Sequence, residues 1–349
     1  MPAENAKILY PFTQSDYGFA NEAIAARIKK QPNAVVVLAR KGPLSDALDA
    51  ARVSYFILPM KFSLTPRTFY LTVLFKLMTR SLPLFRFIRE TGPFKAVFFH
   101  DLTSALCWSG PLKMARIPYI VSMSKLESFS KYATIVLSDA AFLLCPCPFI
   151  KEATPGRFQN KMFVVPFVPS ARFFKVEEVR RVKKRLLKEK GVTTDAVVIM
   201  TDAREDDGAA ERFLKAFKDV FSRAAVFARL SDYQTADELS AALSACDFYA
   251  GFKPFAWDPA PLFAAMRANV PVLAVRKGLY MDVIEDGING VFFESDDDAA
   301  QQAADAAALL NDADKTKALK SSAAAQAEMI YKKTLDFMKE LYDSVGKKK

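Results

Sequence analysis

Short, wholly apolar runs alternate along this chain with stretches whose apolar residues recur at helical spacing. Lys7–Tyr10 reads as an opening strand, and Ala20, Ala23, Ile24 and Ile28 then fall on one face of a helix. Ala34–Ala39 (AVVVLA) has no polar position, the pattern of a strand covered on both faces in a parallel sheet. The alternation continues through a helix at Leu44–Ala51 and a strand at Ser54–Leu58. Strands at Ala96–Phe99 and Tyr119–Ser122 flank a helix at Leu102–Ala115, and strands at Phe142–Leu144 and Phe163–Val165 follow. Pro166 and Pro169 interrupt both helix and sheet and mark a boundary. Beyond them a basic helix at Glu177–Lys190 leads into strands at Ala196–Met200, Ala225–Leu230, Phe248–Phe252, Val270–Val275 and Val291–Phe293. Phe213, Leu214 and Phe217 lie on an intervening helix, and helices at Ala299–Leu310 and Ala323–Tyr342 close the chain. Strands and helices of these lengths in alternation predict βαβ units, hence an α/β fold of two doubly wound, Rossmann-like domains. The expected limits are residues 1–168 and 169–330, with 331–349 a last helix and a basic tail.

Composition narrows the class. The 349 residues suffice for two domains with separate cores. The 12 glycines are too few for several glycine-rich phosphate loops. Cys107, Cys145, Cys147 and Cys246 lack disulfide-framework spacing and read as buried thiols in apolar surroundings. Cys145-Pro146-Cys147 has no second ligand pair and the chain has one histidine, so no metal is expected. The start MPAENAKILYPF shows no basic segment leading an apolar core, and no run nears the ~20 apolar residues that span a bilayer. A cytoplasmic location is therefore expected. The formal net charge of +10 suits an anionic partner without choosing among a membrane surface, a nucleotide sugar and a nucleic acid. No motif specifies nucleic-acid recognition, and none is expected.

The most specific order runs from Cys246 to Phe293. It holds a short strand, a loop, a helix with Ala264-Ala265-Met266, Val270-Pro271-Val272 leading another strand, then Asp286-Gly287-Ile288-Asn289-Gly290. This resembles the nucleotide-sugar half of glycosyltransferases of the two-Rossmann (GT-B) type, in the large retaining family called family 4 or group 1. The resemblance covers nearly the whole chain. It implies two domains facing a cleft, a final helix crossing back to the first domain (Lys333–Val345 here), no cofactor, and a nucleotide-diphosphate sugar as donor.

Several positions depart from the family's pattern. Its paired glutamates fall at Ala256 and Ala264, which leaves Asp258 as a partial replacement or as a solvated loop carboxylate. Its two pyrophosphate-facing cations fall at Asp202 and Asp207, where an anion repels a diphosphate by about 4 kcal/mol at intermediate dielectric. Arg204 and Lys253 are displaced cations or surface ion-pair partners. Of the family's double-glycine turn one glycine survives, so Lys277 and Gly278 are the expected phosphate contacts, with Asp282 in the same donor segment. In the first domain the glycine-rich loop becomes Thr13 to Gly18, with Gly18 retained beside a bulky Tyr17. The family's histidine falls at Ser124. His100, the chain's one histidine, ends a strand just before Asp101, at the edge of the sheet where α/β proteins bind ligands. The candidate catalytic set is thus His100, Asp101, Ser124 and Asp258, with a structural histidine as the other reading of His100.

Thr68–Arg89 is a separate feature, with apolar residues punctuated by Lys76, Arg80, Arg86 and Arg89 and broken by Pro83. Two readings stay open: a helix lying on an anionic bilayer, on the inner face of a membrane, or a core helix with a solvated edge. The functional expectation is a hexosyltransferase acting on a glycan or lipid-linked acceptor. The alternatives are a catalytically inactive homologue serving as a partner or glycan-binding subunit, and another GT-B enzyme or an unrelated Rossmann pair with different ligands. Nothing in the sequence sets the oligomeric state.

Overall fold

The computed structural model describes residues 7–17, 20–59, 82–123, 131–166, 176–192, 196–203, 208–221, 224–233, 236–252, 260–295 and 297–345. The chain divides into two compact units, Met1–Val165 with Leu335–Lys349, and Pro166–Thr334. Each is built on its own parallel sheet.

The first unit runs β1 (Lys7–Phe12), α1 (Ala20–Lys29), β2 (Ala34–Leu38), α2 (Pro43–Ala50), β3 (Tyr55–Ile57), α3 (82–91) and β4 (Phe94–Phe99). It continues with α4 (Leu102–Ala115), β5 (Tyr119–Ser122), α5 (Lys131–Asp139), β6 (Phe142–Cys145), α6 (Pro148–Ala153), α7 (Gly156–Gln159) and β7 (Met162–Val164). The sheet order is β3-β2-β1-β4-β5-β6-β7, so the chain winds one way from β1 to β3 and the other way from β4 to β7. Central β1 is flanked on both sides, with Leu9 opposite Val35 and Val97. This explains why β1 is apolar from Ile8 to Phe12: neither face of such a strand meets water. Tyr10, Phe12, Phe98, Ile24, Ile28, Leu44 and Leu48 share one core with Met338, Leu341, Tyr342 and Val345 from the last helix of the chain.

The second unit runs α8 (Val176–Glu189), β8 (Val197–Thr201), α9 (Gly208–Val220), β9 (Ala225–Arg229), α10 (Ala236–Ala245), β10 (Phe248–Gly251) and α11 (Ala260–Arg267). It continues with β11 (Val272–Ala274), α12 (Leu279–Val283), β12 (Val291–Phe292), α13 (Ala299–Asn311) and α14 (Ala313–Val345), whose last turns belong to the first unit. The sheet order β12-β11-β10-β8-β9 reverses between β8 and β10. Its core is aromatic: Phe213 packs on Phe217 and Phe252 at ring-centroid distances of 5.7 and 5.2 Å, and Phe252 stacks on Phe293 at 5.8 Å. The Asp286–Gly290 turn is structural. Gly287 adopts φ 75°, and buried Asn289 donates from Nδ2 to the Val283 carbonyl at 2.9 Å and accepts from the Glu285 amide at 2.8 Å.

The strands fall within two residues of the expected limits at either end. Helices α5, α6, α7 and α10 lie where no element is expected, and α14 begins at Ala313 rather than Ala323. Among the described residues no helix is long and apolar enough to cross a membrane.

Candidate functional site

In doubly wound sheets, ligands bind beyond the carboxyl ends of the strands where the winding reverses. The first unit has that point between β1 and β4. His100 and Asp101 follow β4 there, and Thr13–Tyr17 follow β1. Asp101 caps α4: its Oδ1 accepts from the Ser104 amide and its Oδ2 from Ser104 Oγ, both at 2.7 Å. The Tyr17 hydroxyl donates to the same Oδ2 at 2.5 Å. Ser104 Oγ also meets the Thr13 amide and the Thr13 hydroxyl, each at 3.0 Å. A polar network therefore fixes the β1–α1 loop where the resemblance implies glycines. Burial drives the Tyr17 phenol well above its ordinary value, with the Asp101 charge adding to the shift.

His100 stacks on Phe12 at 5.2 Å and meets Phe98 edge-on at 4.8 Å. The residue is partly exposed, but its Nε2 is shielded and makes no hydrogen bond. Burial, with a smaller contribution from the Arg27 charge, lowers the imidazole from 6.5 to about 3. At neutral pH His100 is therefore uncharged, and its chemistry is that of a neutral hydrogen-bonding ring.

The second unit's reversal lies between β8 and β10, and Asp202 follows β8 there. It is not an unengaged anion. Its Oδ1 accepts from the Phe252 amide at 3.0 Å, and its Oδ2 accepts from the Tyr280 hydroxyl. Fully buried Tyr249 also feels it: burial first, then the Asp202 charge, raises that phenol well above its ordinary value. Lys277 and Gly278 lie just past β11, with Gly278 at φ 53° as the residue before α12. Only glycine adopts that φ and ψ without strain, so the backbone there stays bare. The Lys277 ammonium is half exposed and stands 4.0 Å from Asp297 Oδ1. Asp282 is the fourth residue of α12. Ala264, at one glutamate position of the resembled family, lies in α11.

Gly18, Ser124, Arg204, Lys253 and Asp258 lie outside the described residues, as do Asp207, Ala256 and positions 68–81 of the basic apolar stretch. The part of that stretch that is described, α3, buries Leu84 and Ile88 and exposes Arg86 and Arg89. A cavity of 730 Å³ is lined by Leu82, Pro83, Phe85, Arg86, Arg89 and Glu90. Among the described residues no group of three or more His, Cys, Asp or Glu is placed to hold a metal ion.

Sequence reasoning missed the Asp202–Tyr280 contact. The one sequence signal for it was an aspartate where the resembled family has arginine.

Residues 233–326 match the family model described as glycosyl transferases group 1. No curated protein matches the chain in sequence. Among solved structures, a glycosyltransferase from Rickettsia africae is 12% identical, covers 99% of this chain and 100% of its own, and gives a TM-score of 0.74. Anabaena HepE in complex with UDP and glucose is 15% identical over 96% of this chain and 99% of that one, with a TM-score of 0.68. Sucrose-phosphate synthase from Thermosynechococcus elongatus is 13% identical over 97% and 99%, with a TM-score of 0.67. In fold, the chain is a pair of parallel-sheet, Rossmann-like domains of the kind found in GT-B glycosyltransferases.

Proposed function

We propose that this chain transfers a hexose from a nucleotide-diphosphate sugar to a glycan or lipid-linked acceptor. The observation that carries the reading is the place of the family match. It spans β10 to β12 and so includes the Lys277-Gly278 turn at the carboxyl edge of the second sheet. HepE, similar in fold, is seen with UDP and glucose.

In such a transfer the bond between the anomeric carbon and a diphosphate oxygen breaks, and an acceptor oxygen bonds to that carbon and gives up its proton. Negative charge gathers on the departing diphosphate. The Lys277 ammonium and the bare backbone at Gly278 supply the stabilising groups there, in the way preorganised donors and cations stabilise developing charge. Asp282, Gly18, Arg204 and Lys253 are assigned to the donor side, Ser124 and Asp258 to the reacting sugar. Asp101 holds the β1–α1 loop, and His100 offers a neutral ring nitrogen to a hydroxyl. The exposed arginines and the cavity along α3 suit an amphipathic, lipid-linked acceptor at an anionic membrane surface.

The test is transfer from a panel of labelled nucleotide sugars to lipid and glycan extracts. Labelled product lost in Lys277→Glu supports the reading, and no transfer from any donor contradicts it. The second reading is a non-catalytic homologue that binds a glycan or a partner enzyme. The engagement of Asp202 by the Phe252 amide and the Tyr280 hydroxyl, at a position the resemblance gives to a phosphate-binding cation, favours it. Glycan binding without any nucleotide-sugar binding would select it.

A further inference from the structure

Three elements of the second unit meet on one carboxylate. Asp202 stands beyond β8, Gly251 ends β10, and Tyr280 is the second residue of α12. The Tyr280 side chain is buried, its hydroxyl bonded to Asp202 Oδ2 while Asp202 Oδ1 receives the Phe252 amide. Its ring packs onto the backbone of Gly251 so closely that a Cβ there would come within 2.7 Å of Cζ. The glycine is what admits the tyrosine.

A helix of five residues is not held in place by its own hydrogen bonds. At its two ends the Met281 amide donates to the Gly278 carbonyl at 3.2 Å and the Ile284 amide to the Tyr280 carbonyl at 2.8 Å. Both involve Gly278 or Tyr280. The tyrosine's attachment to Asp202 ties α12 to the ends of β8 and β10, beside the anchoring of the turn by buried Leu279 and by the Lys277 amide on the Val275 carbonyl at 2.9 Å.

We propose that Asp202 and Tyr280 are positioning residues for the donor diphosphate, holding the Lys277-Gly278 turn at the reversal point of the second sheet without touching the donor. This rests on the donor reading above. It replaces the picture of Asp202 as a repelling charge, since both carboxylate oxygens point to partners within the fold.

The experiment is calorimetric titration of the full chain with UDP, for the wild type, Tyr280→Phe, Asp202→Asn and Tyr119→Phe. Tyr280→Phe keeps the ring on Gly251 and removes the hydroxyl, and it weakens UDP binding about 10-fold. Asp202→Asn keeps an oxygen for the Phe252 amide and places an NH2 where Oδ2 stood, which donates in turn to the Tyr280 oxygen, so UDP affinity stays within about 3-fold of the wild type. Tyr119→Phe removes a buried hydroxyl bond to the Val136 carbonyl in the first unit, so it lowers the melting temperature and leaves UDP affinity unchanged. That control separates positioning from general loss of stability. Wild-type binding with an unchanged Tyr280→Phe overturns the positioning role alone. So does Asp202→Asn binding several-fold tighter than the wild type, the mark of a repelling charge. No UDP binding by the wild type overturns the donor reading and the positioning role together.

Discussion

Gly251→Ala is the smallest change that strikes the second unit's joint. The new methyl would lie 2.7 Å from Tyr280 Cζ, 2.8 Å from its hydroxyl oxygen and 2.9 Å from Cε1. A free side-chain end would move aside at little cost, but Tyr280 is 1% exposed and bonded to Asp202. Overpacking a filled interior costs about 1–3 kcal/mol. Driving the hydroxyl off the carboxylate adds about 1.5–3 kcal/mol, the range for a hydrogen bond to a charged group. The expected total is about 3 kcal/mol, with partial relaxation taking it below the sum. Urea unfolding of the full chain gives the size of the loss. Hydrogen exchange over 248–252 and 279–284 shows where it falls. In a Tyr280→Ala background the same substitution meets no ring and costs less than about 0.5 kcal/mol more. A Gly251→Ala loss below about 0.5 kcal/mol, or one unchanged by removing Tyr280, refutes the reasoning.

The remaining predictions concern the first unit. The chain's one histidine has a folded value near 3, below its ordinary 6.5, so the unfolded chain takes up a proton that the folded chain refuses. Its contribution to stability is complete above pH 6.5 and falls by about 1.4 kcal/mol per pH unit below it, down towards pH 3. Urea midpoints of His100→Phe should therefore fall less steeply than the wild type's between pH 6.5 and 5, and equal slopes would contradict the shielded neutral ring. Asp101→Ala removes the cap of α4 and the acceptor for Tyr17, a loss of about 2 kcal/mol, seen as faster amide exchange in the first turn of α4. Unchanged exchange there would show that the cap is dispensable. Sedimentation with anionic vesicles should be reversed by salt and abolished by reversing Lys76 and Arg80, each basic residue contributing about 1 kcal/mol. Equal binding to neutral vesicles contradicts it.

Much of the fold was legible because parallel strands covered on both faces must be apolar throughout, and AVVVLA at 34–39 or VVIM at 197–200 admit few other readings. Helix α10 escaped notice because the short, serine- and alanine-rich ADELSAALSA shows no sharp apolar stripe, and α5 because KYATIVLSD carries β-branched Thr134, Ile135 and Val136 in a row, which suit a strand as well as a helix. The first turns of α14, ADKTKALKSS, are largely polar and read as a loop until the structure shows one continuous helix. At the candidate site, the Lys277-Gly278 turn could be found from motif order alone, since it follows Val270-Pro271-Val272 in sequence. The Asp202–Tyr280 contact could not, because it joins residues 78 positions apart that only the sheet order brings together. Set against the cation positions of the resembled family, Asp202 read as an obstacle to phosphate, whereas its hydrogen bonds join it to the Phe252 amide and to Tyr280 of α12.

On the proposed function, the second unit receives a nucleotide-sugar donor at the Lys277-Gly278 turn. Calorimetric titration of the full chain with UDP-glucose, beside Lys277→Glu, tests it most directly. Saturable binding is expected of the wild type, and at least about a 10-fold loss in the variant, where an anion replaces the cation assigned to the diphosphate. Binding unaffected by Lys277→Glu, or no binding of UDP-glucose or any other nucleotide sugar by the wild type, would contradict it.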